Sequence, residues 1–247
     1  MFRAAFDKLL KRGVFTFKML KASSIALDVG SCINELKKSL VNVGPMEIPS
    51  LFFSRLGVFI KEISLFQSSL GLLSKHDYKD NVNKHVLESL FIGAKMRLNA
   101  TVLDIGSGGG FPAIPMAILR PDLAVVLVER KVNKVHFLDH VKNKLGLNNV
   151  SIFSMDIKHY IKKQDHLLSE SDITARAVWP WQEYLKKIIP NLKKGANLWI
   201  FTTPRLTLNE VNDFIFALKQ GEYTSKSMDF ELSLHYGKRR FIVVHSI

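Results

Sequence analysis

The residues best suited to chemistry lie in one run, Asp104-Ile105-Gly106-Ser107-Gly108-Gly109-Gly110-Phe111-Pro112. Glycine tolerates positive φ and lets a ligand come close to main-chain N–H groups. Pro112 suits the first turn of a helix, where its missing N–H costs nothing. An apolar strand, a glycine turn and a helix in succession form the usual ligand site at the carboxyl edge of a parallel sheet. The spacing Gly106-x-Gly108-x-x-Phe111 lacks the third small residue of a dinucleotide fingerprint. Asp104 would repel a pyrophosphate on this turn but would attract an ammonium, directly or through water. The turn therefore favours S-adenosyl-L-methionine over NAD, and an NAD-dependent reductase is the weaker alternative.

Other residues extend the constellation. Glu129 lies 23 positions after Gly106 and ends an apolar run, where a carboxylate accepts hydrogen bonds from both ribose hydroxyls. Its competing reading is an exposed acid paired with Arg130 or Lys131. Asp156 follows the next apolar run and could reach an adenine amino group. Arg176 is the expected catalytic residue: it could hold a ligand carboxylate, an RNA phosphate or the acceptor edge of a base. Its competing reading is an ion pair with Asp172 or Glu183. Trp179 and Trp181 could stack on a base, but packing is the stronger reading. His85, His136, His140 and His159 do not make a metal set, and no metal is expected.

These residues need a scaffold, and the hydrophobic pattern supplies one. Apolar runs at Thr101–Ile105, Ala124–Glu129, Val150–Ser154, Ile173–Val178 and Ala196–Thr202 alternate with helical stretches, notably Lys134–Leu145 and Trp181–Ile189. Strands apolar on both faces, separated by helices, predict a parallel sheet covered on both sides. After a last helix over Leu206–Lys219, the runs Ser227–Leu234 and Arg239–His245 flank the turn Tyr236-Gly237-Lys238 and must pair as a hairpin. The fold class is thus α/β: a Rossmann-like class I methyltransferase with a mostly parallel seven-stranded sheet, a C-terminal antiparallel hairpin and an N-terminal helical extension. Residues 1–45 read as a basic leader region, 46–97 as a helical subdomain and 98–247 as the S-adenosylmethionine-binding domain. The pair Gly44-Pro45 marks the first boundary.

Lys plus Arg number 35 against 22 Asp plus Glu, a formal net charge of +13. That excess attracts polyanions. Residues 1–100 hold 15 bases and 8 acids, so +7 of the charge lies outside the sheet region. Cys32 is the single cysteine, which excludes an internal disulfide and a cysteine-based metal site. No apolar run reaches the ~20 residues of a membrane helix. A cytoplasmic location is expected, with no stable membrane partner and a monomeric state. The basic amphipathic stretch Met1–Arg12 also fits RNA contact, a membrane surface or organelle targeting.

The run from Gly106 through Phe111-Pro112-Ala113-Ile114-Pro115-Met116-Ala117-Ile118 resembles that of the RsmG (GidB) methyltransferases, which methylate guanine N7 in small-subunit (16S) ribosomal RNA. Further matches are His85-Val86-Leu87-Glu88-Ser89, Glu129 with Lys134-Val135-His136-Phe137-Leu138, Ala175-Arg176-Ala177 and Gly237-Lys238-Arg239-Arg240. The resemblance covers about residues 60–247. It implies cofactor contacts at Gly106, Phe111, Glu129, Asp156, Ile157 and Arg176, and a partner in ribosomal RNA or the small ribosomal subunit. Two places depart from the pattern. Gly71-Leu72 stands where the family has Asn before an apolar residue, and Thr203-Pro204 stands where Lys-Gly is usual. These departures motivate a second alternative, a non-catalytic RNA- or ribosome-binding protein that keeps the fold.

Overall fold

The computed structural model describes residues 28–40, 47–74, 78, 82–163, 171–176, 180–202, 205–218, 222–231 and 238–247 of the chain. The readings made on Met1–Arg12, Gly44-Pro45, Trp179, Thr203-Pro204 and Tyr236-Gly237 lie outside these residues.

Among the described residues, the helices α1 (Val29–Ser39), α2 (Phe52–Leu70) and α3 (Val82–Gly93) precede the sheet. Strands and helices then alternate as β1 (Thr101–Ile105), α4 (Ala113–Leu119), β2 (Ala124–Glu129), α5 (Val132–Leu145), β3 (Val150–Ser154), α6 (Ile157–Lys163), β4 (Asp172–Ala175), α7 (Trp181–Ile188), β5 (Asn197–Thr202) and α8 (Leu208–Ala217). The hairpin β6 (Tyr223–Glu231) and β7 (Lys238–Ser246) closes the chain. Spatial order is β3-β2-β1-β4-β5-β7-β6. The first five strands pair in parallel, and β7 runs antiparallel to both β5 and β6. This is the class I methyltransferase sheet that the sequence pattern predicts.

The period of each segment explains its element. In α2, Phe52, Leu56, Phe59, Ile60 and Ile63 recur at helical spacing and are all buried. Glu62 is buried on the same helix because His140 and Lys144 of α5 each contact it at 2.7 Å. Along β1, Val102 and Asp104 face one side of the sheet, and Leu103 and Ile105 the other. One buried cluster joins Val102, Val125 and Leu127 to Leu36, Phe59, Leu87 and Phe137 of the N-terminal helices and α5. The other joins Leu103, Val128 and Ile173 to Tyr160, Leu185 and Val211 of α6, α7 and α8.

Several boundaries differ from the sequence pattern. The expected leader region contains α1, capped by the Asp28 carboxylate accepting from the Ser31 N–H at 3.1 Å. Its Leu36 is buried in the sheet's own cluster. Asn83 of α3 donates to Glu35 at 2.7 Å, so this helix is tied to the rest. The strand expected over Ile173–Val178 ends at Ala175, because its partner Ile105 gives way there to the glycine turn. The hairpin's first strand starts at Tyr223 rather than Ser227, since Tyr223 pairs with Ser246 at the far end of β7. Polar Thr224 and Ser225 hide this start from a hydrophobicity reading.

Candidate functional site

The site forms at the carboxyl edge of the parallel strands, where the order changes direction between β1 and β4. Register fixes which residues meet there. Ile105 pairs with Val128 on one side and Ala175 on the other, so Gly106, Glu129 and Arg176 lie side by side just past the strand ends. Glu129 in turn pairs with Ser154, two residues before Asp156.

The glycine turn is fastened to β2. Gly106 N–H donates to Val128 O at 2.8 Å, and Gly108 N–H donates to Glu129 Oε2 at 3.0 Å. Glu129 Oε1 accepts from Lys131 N–H at 2.8 Å. The carboxylate is buried, and each oxygen holds one backbone N–H with lone-pair capacity left for a ligand hydroxyl. The exposed pairing with Arg130 or Lys131 side chains is not what forms. Gly106 has φ 72° and Gly108 φ 54°, a region that L side chains rarely enter. A Cβ at Gly106 would meet nothing within 4 Å, so the turn leaves open space over the strand ends.

Asp104 is buried beneath this turn, and Thr174 Oγ1 donates to its Oδ1 at 2.8 Å. Its Oδ2 has no partner among the described residues. Burial, aided by the Glu129 charge, pushes the carboxyl up to about 7 against the bond from Thr174 and the nearby Ser107 hydroxyl, which itself donates to the Asp104 carbonyl. A buried acceptor lacking a donor suits an ammonium group better than an anion. With the acid on β2 for a ribose and the open backbone between, these residues fit S-adenosylmethionine.

Phe111 is buried, with its ring 5.1 Å from Phe59 and 5.6 Å from His85. Asp156 caps α6, its Oδ1 accepting from Lys158 N–H at 2.9 Å, and Ile157 packs on the second cluster. Trp181 is buried against Phe214 at 5.1 Å, so it packs rather than offering a base a free face.

Arg176 does not pair with Asp172 or Glu183. Asp172 accepts from Trp199 and Asn197, and Glu183 contacts Lys186. Instead Arg176 Nη2 lies 3.0 Å from Glu88 Oε2 and donates to His85 Nδ1. Arg239 Nε donates to Glu88 Oε1 at 3.0 Å. His85 and Glu88 therefore join the site through contacts that sequence reasoning missed. The available signals were their i, i+3 spacing on one helix and the match of His85-Val86-Leu87-Glu88-Ser89 to the family pattern.

Gly71 ends α2 with φ 55°, in the left-handed conformation. Asn is the other residue that enters this region readily, so Gly in place of Asn preserves the backbone. Gly71 O accepts from Lys134 Nζ at 3.2 Å. A Cβ at Gly109 would lie 3.2 Å from Leu72 O, so this segment packs directly on the glycine turn.

Among the described residues no helix is long and apolar enough to cross a membrane, and no group of three or more His, Cys, Asp or Glu is placed to hold a metal. Residues 53–228 match the family described as GidB, rRNA small subunit methyltransferase G. The ribosomal RNA small subunit methyltransferase G of Borrelia hermsii is 36% identical over 167 residues, 66% of this chain and 77% of its own length. That of Bacteroides fragilis (strain ATCC 25285) is 30% identical over 168 residues, 67% of this chain and 73% of its own length. That of Lachnoclostridium phytofermentans is 29% identical over 156 residues, 62% of this chain and 64% of its own length.

Proposed function

The chain belongs to the GidB family of small-subunit ribosomal RNA methyltransferases, and from that premise we propose that its glycine turn holds S-adenosyl-L-methionine for transfer of a methyl group to guanine N7. The observation that carries this reading is the pairing of the open backbone at Gly106 with Glu129 and the unpartnered buried Asp104 oxygen. Asp104 and the turn from Gly106 to Gly108 receive the amino acid end. Glu129 takes the ribose, while Asp156 and Ile157 lie along the adenine side. Phe111 walls the pocket toward α2 and α3.

When bound, S-adenosylmethionine supplies an electrophilic methyl on its sulfonium. Guanine N7 carries an in-plane lone pair in the neutral base, so no side chain has to remove a proton first. The work left for the protein is to align nucleophile, methyl and leaving sulfur, which is catalysis by orientation. With the ribose over β2 and the amino acid end over β1, the acceptor enters over β4 and β5, beside Arg176. An NAD-dependent reductase is disfavoured because Asp104 lies buried under the turn a pyrophosphate would need. The case for a non-catalytic relative weakens at Gly71, whose backbone an Asn would share.

Calorimetry should give S-adenosylmethionine binding with no NADH binding. Deletion of the gene, followed by mass mapping of small-subunit ribosomal RNA, should remove one methylguanine. Persistence of every methylguanine overturns the assignment. We place the protein in the compartment where that RNA is made and assembled.

A further inference from the structure

Three segments far apart in sequence meet at one carboxylate on the acceptor side of the pocket. Glu88 lies on α3. Arg176 follows β4, and Arg239 is the second residue of β7. Thr202 pairs with Arg240, so the start of β7 stands at the carboxyl edge of β5. Glu88 thus bridges the strand ends over which the acceptor enters. Of the three consecutive cations that open β7, Arg240 contacts Asp229 of β6 at 2.6 Å, whereas Arg239 turns to α3. Phe241, two residues on and on the same face, stacks on Phe91 of α3 with ring centroids 5.6 Å apart.

The cluster is cationic and graded in depth. The side chain of Glu88 is 8% exposed, those of Arg176 and Arg239 17% and 21%, so the carboxylate lies below and the guanidinium groups lie toward solvent. Burial opposes ionisation of Glu88, but Arg176, with His85 beside it, outweighs burial and holds the carboxyl at about 2. Two guanidinium groups on one carboxylate leave a net positive charge. The Arg176 guanidinium also donates a hydrogen bond to His85 Nδ1. Arg176 spends that hydrogen bond on His85, so Glu88 Oε2 is held by charge without an aligned hydrogen bond.

We propose that Glu88 is a positioning residue that sets Arg176, which His85 also contacts, and Arg239 as a two-pronged receptor for a backbone phosphate of the ribosomal RNA beside the reacting guanine. This rests on the guanine-N7 reading above. A guanidinium placed two-pronged on the O6/N7 edge of guanine would occupy the lone pair that must attack the methyl. The arginines therefore serve phosphate, whose geometry matches their fork. Without Glu88 the two like charges repel and the fork spacing is lost.

The test is RNA affinity of the full-length protein without cofactor, measured by anisotropy against salt on small-subunit ribosomal RNA, naked and in assembled subunits. Arg239→Gln should weaken binding about ten-fold and lower the slope of log K against log salt by about one, while S-adenosylmethionine affinity stays within about two-fold. Glu88→Gln removes a negative charge, so bulk electrostatics alone would tighten RNA binding. Positioning predicts the opposite, a loss of about ten-fold. Tighter or unchanged binding by folded Glu88→Gln overturns the proposal. So does an unchanged salt slope for Arg239→Gln, which decides the matter alone if Glu88→Gln does not fold. Wild-type protein that binds neither form of RNA also overturns it. Failure of wild-type cofactor binding would instead refute the methyltransferase reading and leave the RNA arm standing.

Discussion

Asp104 should be a residue that the fold tolerates at a cost because the ligand needs it. Its carboxyl ionises near 3.8 in a free chain and near about 7 when buried beneath the glycine turn. Between those values the folded state holds a proton that the unfolded chain lacks, so this residue's contribution to stability is lost as pH rises from about 4 to about 7 and is flat above. A gap of roughly 3 units at 1.36 kcal/mol each sets a ceiling of about 4 kcal/mol on the penalty at pH 8. In Asp104→Asn the amide oxygen still accepts from Thr174, but the amide N–H₂ takes the place of Oδ2, which has no partner among the described residues. An unmet buried donor costs ~1–3 kcal/mol, leaving a net gain of ~1–3 kcal/mol at pH 8. Urea unfolding at pH 5.5 and 8 checks the sign. The variant's advantage should grow by ~2 kcal/mol across that interval. In the same variant, S-adenosylmethionine affinity should fall ~10–100-fold with the loss of a charge-assisted contact to the ammonium. A pH-independent stability difference, or cofactor affinity equal to wild type, would refute the reasoning.

Three further outcomes follow from the same geometry. Gly106→Val places a branched side chain at φ 72° and fills the open space over the strand ends, so cofactor heat should vanish in calorimetry and the melting temperature should drop by ~3–8 °C. Glu129→Gln leaves one acceptor for the two N–H groups of Gly108 and Lys131; cofactor affinity should fall ~10–100-fold and stability by ~1–3 kcal/mol in urea. At Gly71, Asn should be neutral within ~0.5 kcal/mol, whereas Val should cost ~1–2 kcal/mol by thermal unfolding, because φ is 55° there.

The sequence discloses what depends on near neighbours. The five parallel strands read from their apolar runs because both faces are buried, and four of them both begin and end within a residue of the expected positions. The glycine turn is legible because its demand for positive φ is local. Glu129 is legible because a strand end fixes its place. Helix α1 escaped because its polar and charged residues, among them Glu35, Lys37 and Lys38, resemble a solvated leader, and only tertiary packing shows Leu36 to be core.

The partner of Arg176 escaped for a different reason. Neighbouring acids were the natural candidates, yet Asp172 is consumed by Trp199 and Asn197 on β5. The carboxylate that holds Arg176 comes from α3, before the first strand, and the same carboxylate reaches Arg239 across 151 positions. No spacing rule links residues 88, 176 and 239; sheet order does, by setting β5 beside β4 and β7 beside β5, with α3 packed in the same buried cluster. A binding turn can be written in a dozen consecutive residues because backbone conformation makes it. A charge cluster made by topology becomes visible only when the strands are in order, which is why the ligand side of this pocket reads from sequence and the acceptor side does not.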